Sequence, residues 1–185
     1  ITYGDLAAAM DAAVVSLNRL GFGRGDVLAL AVPHGALAAT TFIALMAGTG
    51  IGPLDPAAPA HDLARDLERL QPAALVMLPG CAPTAEAIAR QRGIPVITLT
   101  PSPSAGPAAF RLDTDTPRPT RAAGWAQPND VAVAVRTSGT TGDPVWERLT
   151  QARFHNRLAI PATVYNLGPT DRALKDRKST RLNSS

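Results

Sequence analysis

The sequence predicts an α/β fold built on a largely parallel sheet with flanking helices. Three observations predict it. Short apolar runs of strand length recur between helical segments. Those runs lack the in–out alternation of a half-solvated strand, which is the pattern of strands covered on both faces. The order is strand, helix, strand, helix, which a parallel sheet with helical crossovers requires.

Asp5 to Leu20 reads as the first helix. Leu6, Met10, Ala13, Leu17 and Leu20 recur at spacings of four and three and so share one face. Asp5 is placed to cap the start, and Gly21 to end the helix in a left-handed conformation. Val27–Val32 is a continuous apolar run stopped by Pro33. Ala36–Ala47 reads as a mostly buried helix ended by Gly48, and Ile51–Leu54 as a short extended segment before Asp55-Pro56. Asp62–Leu70 is a helix with Leu63, Leu67 and Leu70 on one side. Ala74–Leu78 is a strand, Thr84–Arg92 a helix closed by Gly93, and Val96–Thr100 a strand. The Pro-rich stretch of residues 101–129 breaks this rhythm and reads as a long loop. Val131–Val135 resumes as a strand and runs directly into Thr137-Ser-Gly-Thr-Thr-Gly142.

Composition narrows the function classes. An apolar fraction of 45% with 18% charged residues fits a globular domain with a true core. Aromatics are only 4%, so Ala, Val, Leu and Ile must build that core. The single cysteine, Cys81, excludes an internal disulfide, and His34, His61 and His155 have no metal-ligand spacing. No metal site is expected on this basis. The longest apolar stretch, Ala36 to Ala47, is too short for a bilayer span of ~20 residues. The net charge is +3, but the last ten residues carry +2 of it, so the body lacks the basic stripe of a nucleic-acid binder. Neither a nucleic-acid partner nor a membrane span is expected, and a cytoplasmic location is.

The stretch Thr137–Gly142 carries the chemistry. Gly139 and Gly142 let the backbone close around a ligand and adopt positive φ. Thr137, Ser138, Thr140 and Thr141 supply hydroxyls, and successive N–H groups in such a turn form an anion-binding nest. The whole suits phosphate oxygens. On composition alone, a flexible Ser/Thr/Gly surface loop explains it equally well. It is not the nucleotide-binding loop that ends in Gly-Lys-Ser/Thr, because no Lys follows either glycine. Gly21-Phe-Gly-Arg-Gly25 is not a dinucleotide fingerprint, because it follows a helix and opens a strand; a helix cap and turn explain it. Cys81 reads as a strand-end residue. His34 falls at a strand C-terminus, where α/β folds bind ligands.

Thr137-Ser-Gly-Thr-Thr-Gly-Asp-Pro144 resembles the phosphate loop of the adenylate-forming superfamily, which comprises acyl-CoA synthetases, nonribosomal-peptide adenylation domains and firefly-type luciferases. Ile1-Thr-Tyr-Gly-Asp-Leu6, Leu20-Gly-Phe-Gly-Arg-Gly-Asp-Val27, Ala47-Gly48 with Pro53-Leu-Asp-Pro56, and Leu167-Gly-Pro-Thr-Asp-Arg172 resemble further elements of that family, in its order. The resemblance implies a partial N-terminal AMP-binding domain over residues 1–174. It implies ATP as cofactor with Mg²⁺, a small carboxylate substrate, and coenzyme A as the acceptor of an acyl-CoA ligase. In the family the loop holds the ATP phosphates, which assigns Thr137, Ser138, Gly139, Thr140, Thr141 and Gly142 to nucleotide binding. The acyl pocket and the C-terminal domain with its catalytic Lys would lie beyond residue 185, so no catalytic residue is assigned and the fragment alone is expected to be inactive. An amino-acid adenylation domain, or a non-catalytic scaffold with a decayed site, are the alternatives.

The departures from the family pattern are local. Val145 stands where the family has Lys, Trp146 and Glu147 where it has a small residue and Val, and Gln151 where it has His. The terminal stretch Asp176–Ser185 abandons the pattern. It reads as the translation of a sequencing-library adapter, and the only two lysines, Lys175 and Lys178, lie at this end. Residues 175–185 are therefore expected to be non-native. The rival is a basic partner-binding tail.

Overall fold

The computed structural model describes residues 1–137 and 145–166. The described residues fall into two compact units, one of Ile1–Phe154 and a second beginning at His155. The tail Asp176–Ser185 lies outside the described residues.

The larger unit is a seven-stranded sheet of order β5-β4-β3-β1-β2-β6-β7. Its strands are β1 (Val27–Ala31), β2 (Gly50–Pro53), β3 (Ala74–Met77), β4 (Val96–Pro101), β5 (Phe110–Thr114), β6 (Val131–Arg136) and β7 (Trp146–Thr150). The five central strands run parallel, and the two edge strands β5 and β7 run antiparallel to their neighbours. The helices are α1 (Tyr3–Leu20), α2 (Ala36–Met46), α3 (Ala60–Leu70), α4 (Pro83–Gln91) and α5 (Gln151–Val164).

β1 shows why the sheet is a middle layer. All five of its residues are buried. Leu28 and Leu30 point into a core shared with Ala13 and Leu17 of α1 and Leu45 of α2. Val27, Ala29 and Ala31 point the other way, toward Leu63 and Leu67 of α3 and Ala85 and Ala89 of α4. The period of two therefore feeds two cores, and the absence of polar alternation follows.

Local chemistry sets the helix ends. α1 begins at Tyr3, two residues before Asp5. Thr2 is the N-cap, and its hydroxyl accepts from the Asp5 N–H at 3.1 Å while the Asp5 carboxylate accepts from the Thr2 N–H at 2.7 Å. Asp5 is thus the reciprocal partner of the cap. Gly21 ends the helix at φ 95°. α2 departs from expectation. It buries only Thr41, Ala44 and Leu45, and Ala39 and Ile43 face outward.

The Pro-rich stretch is not structureless. A short 3₁₀ turn (Pro103–Ala105) leads to β5, which pairs with β4 from Ile97↔Thr114 to Pro101↔Phe110. The signal was present: Phe110 and Leu112 pack toward the α1 core while Arg111 and Asp113 are exposed. The prolines around it obscured the alternation.

Residues 115–130 then cross the edge where the parallel strands begin. The crossing spans five strand spacings, about 24 Å, which an extended segment of this length, reaching ~50 Å, covers easily. This strap docks on the turn between α1 and β1. Arg118 donates to the Gly21 carbonyl at 3.1 Å and to the Asp26 carboxylate at 2.8 Å, and its guanidinium lies 4.5 Å from the Phe22 ring centre. The Arg24 N–H donates to the Ala122 carbonyl at 2.8 Å, the Gly124 N–H to the Asn18 side chain at 2.7 Å, and the Ala126 N–H to the Ala47 carbonyl at 2.8 Å. The glycines of Gly21-Phe-Gly-Arg-Gly25 have a steric purpose. A Cβ on Gly21 would lie 1.7 Å from the Arg118 carbonyl oxygen, and one on Gly23 2.2 Å from that of Ala122. The motif is a helix cap, as the sequence suggests, and also a cradle for another segment's backbone.

Candidate nucleotide site

β6 delivers the candidate loop to the opposite edge, where the parallel strands end. Its backbone continues into Thr137, and the chain returns at Val145 to form β7 antiparallel to it, with Arg136 opposite Trp146. The stretch is therefore the connection of a hairpin. Thr137 closes that hairpin: its N–H donates to the Val145 carbonyl at 2.9 Å and its hydroxyl to the same oxygen at 3.1 Å. Ser138, Gly139, Thr140, Thr141 and Gly142 lie outside the described residues. Of the six sequence-predicted site residues, Thr137 alone is described. Its hydroxyl and amide serve the hairpin mouth.

The same edge gathers the other candidates. His34 is exposed in the turn between β1 and α2. Cys81 follows β3, with its Sγ 3.3 Å from the Ala31 carbonyl at the end of β1. β1 and β3 are neighbours whose following helices, α2 and α4, lie on opposite faces of the sheet. That divergence marks the topological switch point at which open α/β sheets bind ligands. The structure thus places His34, Cys81 and Thr137 on the same edge of the sheet.

Around the hairpin the charges are paired. Arg136 reaches the Asp66 carboxylate of α3 at 3.1 Å, and Asp66 is 8% exposed. Arg148 on β7 donates to the Leu70 carbonyl at the end of α3 at 3.0 Å. At the far end of β6, Asp130 accepts from Arg24 at 2.8 Å and from the Gln127 N–H at 2.6 Å. The Arg24 hydrogen bond holds the Asp130 carboxyl below the usual carboxylate range, against the smaller opposing effect of desolvation. Gln151 donates from its backbone to the Asp130 carbonyl at 2.9 Å and from its side chain to the Met46 carbonyl at 2.8 Å. These ion pairs join residues far apart in sequence and could not be read from spacing.

Among the described residues, no three His, Cys, Asp or Glu side chains gather as a metal site. The described carboxylates do not gather into a ligand set for Mg²⁺. No helix among them is long and apolar enough to cross a membrane.

Residues 1–173 match the family model described as "AMP-binding enzyme". The chain belongs to this family. Within it, the chain is 32% identical over 183 residues to an isonitrile lipopeptide synthase of Streptomyces coeruleorubidus, covering 95% of this chain and 11% of that protein. The structure superposes on ATP-bound MatB from Rhodopseudomonas palustris with a TM-score of 0.70 at 24% identity, covering 92% of this chain and 34% of that one. It superposes on o-succinylbenzoate CoA synthetase from Bacillus subtilis, in complex with an acyl-adenylate intermediate, with a TM-score of 0.66 at 17% identity, covering 93% and 42%. These likenesses place the fold as the N-terminal region of adenylate-forming enzymes, and the chain spans about a third of the length of the MatB chain.

Proposed function

We propose that the polypeptide containing this domain activates a carboxylate with ATP. A carboxylate oxygen bonds to the α-phosphorus, the bond from that phosphorus to the bridging oxygen breaks, and pyrophosphate leaves. A thiol then attacks the acyl carbon of the adenylate and AMP departs. The observation that supports this most is the family match over residues 1–173, combined with a Thr/Ser/Gly connection issuing from the C-terminal end of a parallel strand. That position suits a polyanion, because backbone N–H groups of such a turn converge on it. In this reading Ser138, Thr140 and Thr141 donate to phosphate oxygens, Gly139 and Gly142 permit close approach, and Thr137 holds the loop's mouth closed. Mg²⁺ would enter with the nucleotide. Coenzyme A is the proposed thiol, the parent is an acyl-CoA ligase, and its proposed location is the cytoplasm, where both co-substrates occur.

The lipopeptide synthase relative favours a second reading, in which the carboxylate is an amino acid or acyl group destined for a peptide product. Carboxylate-dependent pyrophosphate exchange by the full-length parent separates the two. Exchange with fatty or aryl acids supports the ligase, and exchange with amino acids supports the peptide-synthetase reading.

The nucleotide site itself is tested on the chain. A β-branched residue at a position that needs positive φ is costly. Titration calorimetry with ATP and Mg²⁺ is expected to show binding by the chain and a loss of about ten-fold or more in affinity in Gly142→Val. Unchanged affinity in that variant contradicts the assignment.

A further inference from the structure

β5 closes the sheet on one lateral edge, and among the described residues no strand lies beyond it. Its ladder with β4 fixes which of its backbone groups remain free. The Ser102 N–H donates to the Ala109 carbonyl at 2.8 Å, which makes these two a hydrogen-bonded pair. Such pairs alternate along an antiparallel ladder. Arg111 and Asp113, opposite Thr100 and Thr98, therefore also turn their N–H and C=O groups toward β4. Phe110, Leu112 and Thr114 turn theirs outward. Pro101 agrees with this phase, because it lies opposite Phe110, where β4 needs no donor. The outward groups of Phe110, Leu112 and Thr114 form the template on which a further strand can pair.

The side chains say which strand fits. Phe110 and Leu112 pack toward the α1 core, while Arg111 and Asp113 stand on the other face, 73% and 57% exposed. Let a second β5 run antiparallel to the first, with Leu112 opposite the second copy's Leu112. The two leucines then form a hydrogen-bonded pair, and so do Phe110 and the second copy's Thr114. Arg111 falls opposite the second copy's Asp113, and Asp113 opposite its Arg111. These are the non-hydrogen-bonded positions, where opposing side chains come closest. Neighbouring registers fail. Centring the pair on Arg111 or on Asp113 sets like charges against each other, and a one-residue slip sends Leu112 to the charged face. Pro107 and Pro117 are equidistant from Leu112 in sequence and cannot donate to a ladder, so they end the pairing symmetrically. Beside this edge α1 carries Ala8 and Ala12, both exposed, next to a recess of about 290 Å³ that Ala108 and Phe110 also line. Small side chains there leave room for the flank of a second molecule.

We propose that the β5 edge is a self-association surface, on which a second copy of this chain adds its own β5 antiparallel about Leu112 and continues one sheet through two molecules. The contact is isologous, with Arg111 of each copy meeting Asp113 of the other. Within one chain these two side chains already pair at 3.3 Å. That exposed contact is worth little, so exchanging it for two cross-strand pairs costs little. A short ladder is a small interface, so the association is weak and depends on concentration. The surface is independent of the nucleotide reading above.

Sedimentation equilibrium of the whole chain tests this, with a reversible monomer–dimer equilibrium expected. Arg111→Asp and Asp113→Arg each set like charges opposite one another at both cross-strand positions, and each should weaken the dimer about ten-fold or more. Both side chains are exposed, so an unchanged melting temperature is expected to show that the fold is kept. Mixing the two single variants should restore a dimer with one of each, because every cross-strand pair is again opposite in charge. The double variant Arg111→Asp/Asp113→Arg should restore it for the same reason. A chain that stays monomeric at every concentration reached overturns the proposal. A dimer indifferent to both single changes lies on another surface and overturns it too, as do mixed variants that associate no better than either alone. The full-length parent, measured in the same way, should show the same charge dependence. No dimer there, or one insensitive to these changes, would assign the edge to the rest of the polypeptide and overturn the proposal as well.

Discussion

At the edge where the parallel strands begin, the chain crosses the sheet on a strap of residues 115–130 that is bound along much of its length. Arg118 alone meets Gly21, Phe22 and Asp26, and two glycines are hollowed out beneath the strap's carbonyls. At the edge where the same strands end, the described connections after β1 and β3 are short. His34 is exposed, Val145 is 65% exposed, and the connection after β6 reads Ser-Gly-Thr-Thr-Gly-Asp-Pro from Ser138 to Pro144. The first edge uses glycine to let protein approach protein. The second uses it, in the proposed reading, to let protein approach phosphate. Identical residue types therefore mark opposite roles, and the sheet direction tells them apart.

The largest expected effect is on the strap edge. Gly21→Ala combines a left-handed backbone with a Cβ that would sit 1.7 Å from the Arg118 carbonyl oxygen. It should cost about 3 kcal/mol or more, a fall in melting temperature of ~10 °C for a chain of this size, measured by calorimetry. An unchanged melting temperature would show that the strap is not seated there. Gly80 makes the control. It is also left-handed, at φ 70°, but a Cβ there meets nothing within 4 Å. Gly80→Ala should lose only the backbone part, ~1 kcal/mol.

The contrast also explains how much was legible beforehand. The central strands and α1 to α4 could be placed from pattern alone, because apolar runs and helical spacing are local. Val27–Val32 reads as a doubly covered strand because it is one. β5 escaped because the prolines around it outweighed the alternation of Phe110-Arg-Leu-Asp. β7 and α5 escaped because Trp146-Glu-Arg-Leu-Thr has no strong period and adjoins the loop. The outward face of α2 could not be foreseen: an all-apolar helix reads as buried whatever lies against it. At the candidate site, only Thr137 of the six expected residues is described, and the setting it closes was not legible. Neither the Asp66–Arg136 pair, spanning 70 residues, nor the Arg24–Asp130 pair, spanning 106, leaves a trace in spacing.

A mid-sized effect should appear on the other edge without any change in stability. Val145 is exposed at the hairpin mouth, so Val145→Lys adds a cation beside the candidate phosphate site without disturbing packing. ATP affinity should rise by about three- to ten-fold at low salt and the gain should shrink as salt is added. No gain at any ionic strength would argue that the phosphates lie elsewhere.

The smallest effect is pH-dependent and belongs to the strap edge. The folded pKa of Asp130 is lowered by Arg24, so its stabilising contribution is fully present above the unfolded value and is lost as pH falls through the folded one. Amide exchange of Gln127, whose N–H donates to that carboxylate, should therefore quicken below about pH 4 after correction for intrinsic rates. Asp130→Asn should abolish this acid step while leaving the exchange of α4 unchanged.

Hydrogen exchange of the intact chain with and without saturating ATP and Mg²⁺ tests the central claim most directly, because it reads both edges at once. The account predicts slowed exchange in the peptide spanning the end of β6, the 138–144 connection and Val145, and no change in the strap of residues 115–130. Protection of the strap with an unaltered hairpin, or of neither, would contradict it.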